Sequence, residues 1–398
     1  VDLMLKIQMM VEADIATTQL LERVLMECAS YGLSYKKTYI NGQKKARLDD
    51  DALPLFVRNA DPIAASLCKC LKQNGWPYCY YLDDNFWEIS GDTALARYYQ
   101  DASIRRSLGY IVQNAALVLV NSEQLAKYIR NKFGCVVQYL PPMFDFSLLN
   151  GVQPYAGDEV RIGFAGSSSR VADLEVLAPL VGPILEKFPE VVFEFAGAMP
   201  ASVGTSDRVR FFSYVGNYQE FIKFQYARGW KIGLAPLVAD GSNGFKTNNK
   251  FREYAACGIV GIYSDSPSYR DSVKHLDNGF VVASYSAPAW MAAIECLLNN
   301  PELRENMAAK AFQYVSAHYA LSVITKDWVA ALMSFSPKIA ELKSGGVNPG
   351  WISAWSYVQS HVLTYWLLTQ QARTEGGWRL VLKKILFLLK KRLAHARE

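Results

Sequence analysis

Short apolar runs alternate with amphipathic helical patterns along most of this 398-residue chain, and the alternation breaks once. Strand-like runs fall at 5–10, 33–39, 53–57, 78–82, 117–120 and 136–140, with helical patterns around 16–30, 62–73, 101–113 and 122–132. A stretch rich in Pro, Gly and Asn, 141–158, then interrupts the pattern. A second series follows: strands at 160–164, 191–196, 209–214, 232–237, 259–263 and 279–282, helices at 172–188 and 218–227, and long helical patterns over 288–333. Regular strand–helix alternation admits few solutions other than a parallel, doubly wound sheet with helices on both faces. The expectation is an α/β protein with two Rossmann-like domains, 1–145 and 158–333, facing each other across a cleft. A helical tail, 334–398, follows.

Composition agrees with two packed cores: 51% of side chains are apolar and 20% charged. Seven cysteines, an odd count, fit a reducing compartment better than a disulfide framework. Cys68 and Cys70 read as one helix face, since no second pair or nearby histidine completes a metal site. The opening VDLMLKIQMMV has no start methionine, and Asp2 and Lys6 interrupt its apolar run. It reads as a first strand of a chain cut from something longer, not as a signal peptide.

The net charge of +5 is unevenly placed. Residues 379–398 hold seven basic side chains against Glu398, so the rest of the chain is close to neutral. A basic balance confined to one segment argues against nucleic acid and for a membrane surface. Between 344 and 372 there is no charged residue, but interspersed Ser, Gln, Thr and His disfavour a spanning helix. Over 378–393 Trp378, Val381, Leu382, Ile385, Leu389 and Leu393 share a broad face opposite Arg379, Lys383, Lys384, Lys390 and Lys391. That is the pattern of a helix lying in a membrane interface.

The segment 234–265, LAPLVADGSNGFKTNNKFREYAACGIVGIYSD, carries the chemistry. A strand runs into a Gly/Asn/Lys-rich loop, then into a helix bearing Lys250 and Glu253, then through Gly258 into another strand. In a parallel layer the helix N-terminus and loop lie at one edge, where free N–H groups favour an anion. Lys246 and Lys250 add positive charge there, and Glu253 can accept hydrogen bonds from sugar hydroxyls. The ligand this implies is a diphosphate with a ribose. In the first half, Glu12 and Asp14 follow the first strand, and Asp83-Asp84 follow another, which places them at the cleft as candidates for acceptor binding or general-base work. Turn formation and capping are the alternative role for such residues.

Four stretches, RIGFAGSSSRVADLEVLAPLVGPILEKFPEVVFEFAG, YVGNYQEF with IGLAPL, KFREYAACGIVGIYSDSPSYRDSV, and NGFVV with NNPELRENMAAKA, occur here in order. Together they resemble the nucleotide-sugar glycosyltransferases of GT-B fold, in the retaining family called glycosyl transferases group 1 or family four. The resemblance covers roughly 1–333. It implies that Glu253 binds the nucleotide ribose and that Arg170, with Lys250 or Lys246, contacts the diphosphate. It further implies donor contacts from Gly166, Ser167, Gly216, Asn217, Asn243, Gly244, Phe245, Lys246 and Thr247. No metal or cofactor is implied; the nucleoside-diphosphate sugar is a co-substrate. The chain departs from the family in two places. An acid usual eight positions before the glutamate is replaced by Phe245, with Asn243 or Asp240 nearby, and the four histidines (His275, His318, His361 and His395) leave the first domain without one.

The resulting expectation is a hexosyltransferase that extends a lipid-linked cell-surface polysaccharide of O-antigen type. It would be peripheral to the inner face of the cytoplasmic membrane through 378–393, with further subunits of an assembly complex as possible partners. Two alternatives stand beside it: a non-catalytic GT-B module that binds glycan or a partner, and a sugar-nucleotide epimerase of the same fold.

Overall fold

The computed structural model describes residues 4–40, 48–237, 243–282 and 286–344, together with Val362, Trp366, Thr369 and Arg373. Asp240 and the basic segment 378–393 lie outside the described residues. In the first domain the order is β1 (Leu5–Val11), α1 (Ala16–Glu27), β2 (Leu33–Tyr39), β3 (Ala52–Val57), α2 (Pro62–Gln73), β4 (Cys79–Leu82), α3 (Ala94–Gln100), α4 (Ala102–Asn114), β5 (Leu117–Val120), α5 (Glu123–Phe133) and β6 (Val137–Tyr139). Its six strands are all parallel, in the order β2-β1-β3-β4-β5-β6. Strands β3, β4 and β5 are buried along their whole length, which is why they read as continuous apolar runs without alternation. Side chains of Asp61, Asp101 and Ser122 cap α2, α4 and α5 by accepting from backbone N–H groups of the first turn.

The second domain contains β7 (Val160–Ala165), α6 (Val171–Leu174), α7 (Ala178–Lys187), β8 (Val191–Ala196), β9 (Val209–Phe212), α8 (Tyr218–Arg228), β10 (Ile232–Ala235), α9 (Asn249–Ala256), β11 (Val260–Ser264), α10 (Pro267–Arg270), β12 (Phe280–Val282), α11 (Ala287–Asn299) and α12 (Pro301–Tyr319). Its parallel sheet runs β12-β11-β10-β7-β8-β9, so the strand order reverses between β10 and β7. At that junction Gly163 sits directly beside the Trp230 indole, where a Cβ would fall 1.9 Å from the ring. The close approach lets a large aromatic pack flat on the central strand.

Three expectations change. The helix read over 172–188 is broken into α6 and α7, because Pro179 falls in the first turn of a new helix and lacks the N–H needed to continue the old one. Helix α3 was not anticipated. The stretch 141–158 holds structure where no element was read: residues 143–145 are buried and Phe146–Leu149 form a 3-10 turn capped by Asp145, while most of 150–158 is exposed.

The chain crosses between domains twice, side by side. Phe144 N donates to Tyr319 O at 2.7 Å, and Leu321 N donates to Phe144 O at 3.0 Å. Helix α13 (Leu321–Met333) thereby returns to the first domain, and α14 (Ser336–Ser344) follows. Leu321, Ile324, Trp328, Leu332 and Ile339 join the same core as Leu5, Ile7 and Leu55. Chain order placed 321–333 in the second unit; the packing places it on the first.

Candidate functional site

A cavity of about 240 Å³ opens between the domains at the reversal point of the second sheet, where parallel α/β sheets present ligand sites. Its walls come from Ala165-Gly166-Ser167 after β7, Ala196 at the end of β8, Tyr214-Val215-Gly216 before α8, and Lys250 and Glu253 on α9; Ala16, Thr17 and Leu20 of α1 close it from the first domain. Gln19 of α1 accepts from Tyr218 N at 3.1 Å and ties that helix to α8. Gly197, at φ +77°, brings β8's exit against the Gly166 carbonyl, where any Cβ would collide.

Lys250 and Glu253 lie one helical turn apart, with Nζ 3.5 Å from Oε2. Glu253 is only 5% exposed, and its Oε2 accepts no hydrogen bond from any described residue. Burial lowers the Lys250 pKa; the Glu253 carboxylate works against that shift, while the charges of Arg170 and Lys246 add to it. Phe164 and Phe221 each have their ring centre 5.9 Å from Nζ. Arg170 pairs with Asp173 at 3.0 Å and donates to Pro236 O at 3.3 Å.

Not every expected donor residue faces this space. Gly166, Ser167, Gly216, Lys250 and Glu253 line it; Asn217 does not, because its side chain caps α8 by accepting from Glu220 N at 3.1 Å. Residues 243–247 are absent from the lining. Asn243 is buried, its carbonyl accepting from Ser268 Oγ; Gly244 lies inside the 3-10 turn Asn243–Phe245, which carries Phe245 to the first domain, and Thr247 follows that turn. There the Phe245 ring meets Tyr128 of α5 edge-on, with centres 5.3 Å apart. Lys246 lies close enough to influence both Asp84 in the first domain and Lys250 in the second.

On the first domain, Asp83 Oδ2 accepts from Thr17 Oγ1 at 2.5 Å and from Arg58 Nη1 at 2.8 Å, while Asp84 stands 3.7 Å from the same guanidinium. Burial, then the neighbouring Asp83 charge, raises the Asp84 pKa, against Arg58 and Lys246. Neither Glu12 nor Asp14, on the loop after β1, is among the residues that line the cavity. Glu12 turns inward, accepting from Ala60 N at 3.1 Å; burial and then the Asp61 charge push its pKa up to about 8. Asp14 is drawn to Thr18 Oγ1 at 3.2 Å and Lys37 at 3.5 Å. Sequence reasoning missed Thr17, Arg58 and Arg252. Arg252, fully buried on α9, donates to Met143 O at 2.7 Å and to Asn248 at 3.2 Å. A basic residue directly after a buried strand (Arg58), or inside a helix beside Glu253 (Arg252), was the available signal.

The two facing parallel sheets match solved structures over most of their length. Sucrose-phosphate synthase from Thermosynechococcus elongatus superposes with a TM-score of 0.63 at 14% identity, over 84% of this chain and 100% of that one. The fold is GT-B. HepE of Anabaena, solved with UDP and glucose, superposes at 0.58 and 12% identity over 83% of this chain and 100% of its own. A glycosyltransferase from Rickettsia africae gives 0.55 and 10%, over 83% and 98%. The family model for Glycosyl transferases group 1 matches residues 250–314, from Lys250 through α9 into α12. Among curated proteins, none matches. In this GT-B chain the matched segment begins at the residues that furnish the charged wall of the cavity.

Proposed function

We propose that this chain is a GT-B glycosyltransferase that takes a hexose from a nucleoside-diphosphate sugar. The observation that carries the reading is Glu253, a buried carboxylate whose Oε2 meets only the Lys250 ammonium, at 3.5 Å, among the described residues, in a cavity at the strand-order reversal. Two ribose hydroxyls supply the donors it lacks. The diphosphate lies toward Lys250, Arg170 and Lys246, and the base toward Tyr214-Val215-Gly216. As the anomeric C–O bond breaks, negative charge grows on the departing diphosphate, so fixed cations stabilise the transition state more than the bound substrate. The nucleotide and sugar found with HepE suggest UDP-glucose as a first candidate. Retention of configuration, independence from metal, and an acceptor that is a lipid-linked O-antigen-type polysaccharide at the cytoplasmic face of the membrane complete the reading. The amphipathic pattern at 378–393 supports the membrane part. Among the described residues no helix is long and apolar enough to cross a membrane, and no three His, Cys, Asp or Glu gather as metal ligands.

A thermal-shift screen against UDP-, GDP- and dTDP-sugars tests the donor, since ligand binding stabilises the native state directly. One nucleotide series raises the melting temperature, and Glu253→Ala loses the shift and the transfer while remaining folded. No shift from any nucleotide, or full activity in Glu253→Ala, refutes the proposal.

A further inference from the structure

Beside the nucleotide cavity lies a smaller one of about 60 Å³, enclosed by α1, the ends of β4 and β5, the crossing segment at Pro141-Pro142-Met143, and Trp328. It shares Thr17, Leu20 and Asn249 with the larger cavity, so the two are neighbours across one wall. Most of its lining is apolar. Thr17, Asp83, Asn121 and Asn249 are its polar members, and of these Asp83 Oδ1 and Asn121 Oδ1 are buried with no hydrogen-bond donor among the described residues. Asn121 is 6% exposed. Buried acceptors in folded proteins almost always find donors, so two unmet at one cavity point to a visiting donor group.

Asp83 is held in a fixed orientation. Its Oδ2 is occupied by Thr17 and Arg58, which leaves Oδ1 as the oxygen presented. Arg58 adopts φ +59°, one of two non-glycine residues with positive φ among the described residues. Such a backbone is strained, and strain of this kind persists where the surroundings over-determine it. Its guanidinium also covers the Phe86 ring, 4.8 Å from the centre.

We infer that Asp83 Oδ1 and Asn121 Oδ1 accept hydrogen bonds from hydroxyls of the glycosyl group carried on the nucleotide, with Arg58 and Thr17 as positioning residues. This rests on the nucleotide-sugar reading of the larger cavity. The chemistry selects neutral hydroxyls. A cation would meet the Arg58 charge already paired to the same carboxylate. At about 60 Å³ the space is a quarter of the larger cavity and takes hydroxyl-sized groups, not a whole hexose. The sugar ring therefore stays in the larger cavity and extends hydroxyls past Thr17, Leu20 and Asn249, the residues common to both linings.

The test compares affinity for a nucleoside diphosphate with affinity for its sugar conjugates. Calorimetry on the full chain measures UDP, GDP and dTDP, then the glucose, galactose and N-acetylglucosamine conjugates of whichever nucleotide binds. Wild type binds its preferred conjugate more tightly than the bare diphosphate. Asp83→Asn, Asn121→Ala and Arg58→Lys lose about tenfold in affinity for that conjugate and keep affinity for the diphosphate within about twofold, a split that a merely structural role would not produce. Equal affinities for the conjugate in wild type and Asp83→Asn overturn the inference and leave the nucleotide reading intact; two trapped waters would give that result. Parallel losses for diphosphate and conjugate also overturn it. A wild type that binds no nucleotide refutes the nucleotide reading itself, and the inference falls with it.

Discussion

Replacing Glu253 by Gln separates ligand chemistry from folding. The Glu253 carboxylate is 5% exposed, and its Oε2 meets only the Lys250 ammonium, at 3.5 Å, among the described residues. A buried carboxylate carries a desolvation cost that a single pair at this distance repays only in part. Glutamine keeps the shape and removes the charge, at the expense of leaving Lys250 without its counter-charge. These effects oppose each other, so the melting temperature of Glu253→Gln stays within a few degrees of wild type. Binding behaves differently. Hydrogen bonds from ribose hydroxyls to a carboxylate are charge-assisted and worth about 1.5–3 kcal/mol net, and a neutral amide returns about half of that. The expected loss is about 1–2 kcal/mol, a five- to thirtyfold rise in Kd for the bare nucleoside diphosphate. Calorimetry with that diphosphate measures the Kd, and thermal unfolding measures the stability. An unchanged Kd refutes the ribose assignment; a melting temperature lowered by ten degrees or more shows that Glu253 holds the fold instead.

Other variants probe the surroundings. Arg252→Met strands the Met143 carbonyl at the interdomain crossing and lowers unfolding free energy by about 1–3 kcal/mol in urea titration; no loss of stability would show that the carbonyl finds another donor. Phe245→Ala removes the edge-on contact with Tyr128, worth about 0.5–1.5 kcal/mol. It increases the radius of gyration in small-angle scattering, and an unchanged profile shows that this contact does not set the spacing of the domains. Glu12 has its folded-state pKa raised from 4.5 to about 8 by burial and Asp61, so between those values the folded protein retains a proton that the unfolded chain releases. Its contribution is complete below about pH 4.5 and is lost as pH rises through 8, at a slope of at most about 1.4 kcal/mol per pH unit. Glu12→Gln removes that slope, so its stability relative to wild type rises from pH 5 to 8.5, and parallel urea midpoints across that range refute the buried-proton account.

The parts that were legible in the sequence share a physical cause. Strands β3, β5, β8 and β10 are buried on both faces, and a short continuous apolar run between polar turns has few other readings. Lys250 and Glu253 were legible because their spacing puts both on one helix face after a strand. What escaped was decided by tertiary choice. An asparagine before a helix looks the same whether it caps the helix or faces a ligand, and Asn217 caps. Carboxylates after a strand look the same whether they enter the cleft or turn inward: Asp83 lines a cavity while Glu12 packs against Ala60 and Asp61. The apolar face of α13 announces a helix but not which core it joins. Helix α3 hid because Leu95, its first large apolar residue, is 52% exposed, so its periodicity is weak.

Helix α9 connects these observations. Successive residues on a helix project about 100° apart, so adjacent positions 252 and 253 must serve different neighbours. Glu253 faces the ligand cavity, whereas Arg252 reaches the Met143 carbonyl on the first crossing and also bonds the Asn249 side chain, which lines both cavities. Asn248, at the start of the same helix, binds Tyr319 at 2.9 Å on the second crossing. One short element is thus bonded to both segments of chain that join the domains while it carries Lys250 and Glu253, the two charged groups in the lining of the larger cavity. Rotation of the domains therefore cannot leave α9 unmoved, and a ligand that fixes Lys250 and Glu253 constrains the crossing as well. The same geometry explains why Phe245 and Lys246, on the loop that leads into α9, meet the first domain at Tyr128 and Asp84: the loop spans from the element that carries Lys250 and Glu253 to the facing surface of the first domain.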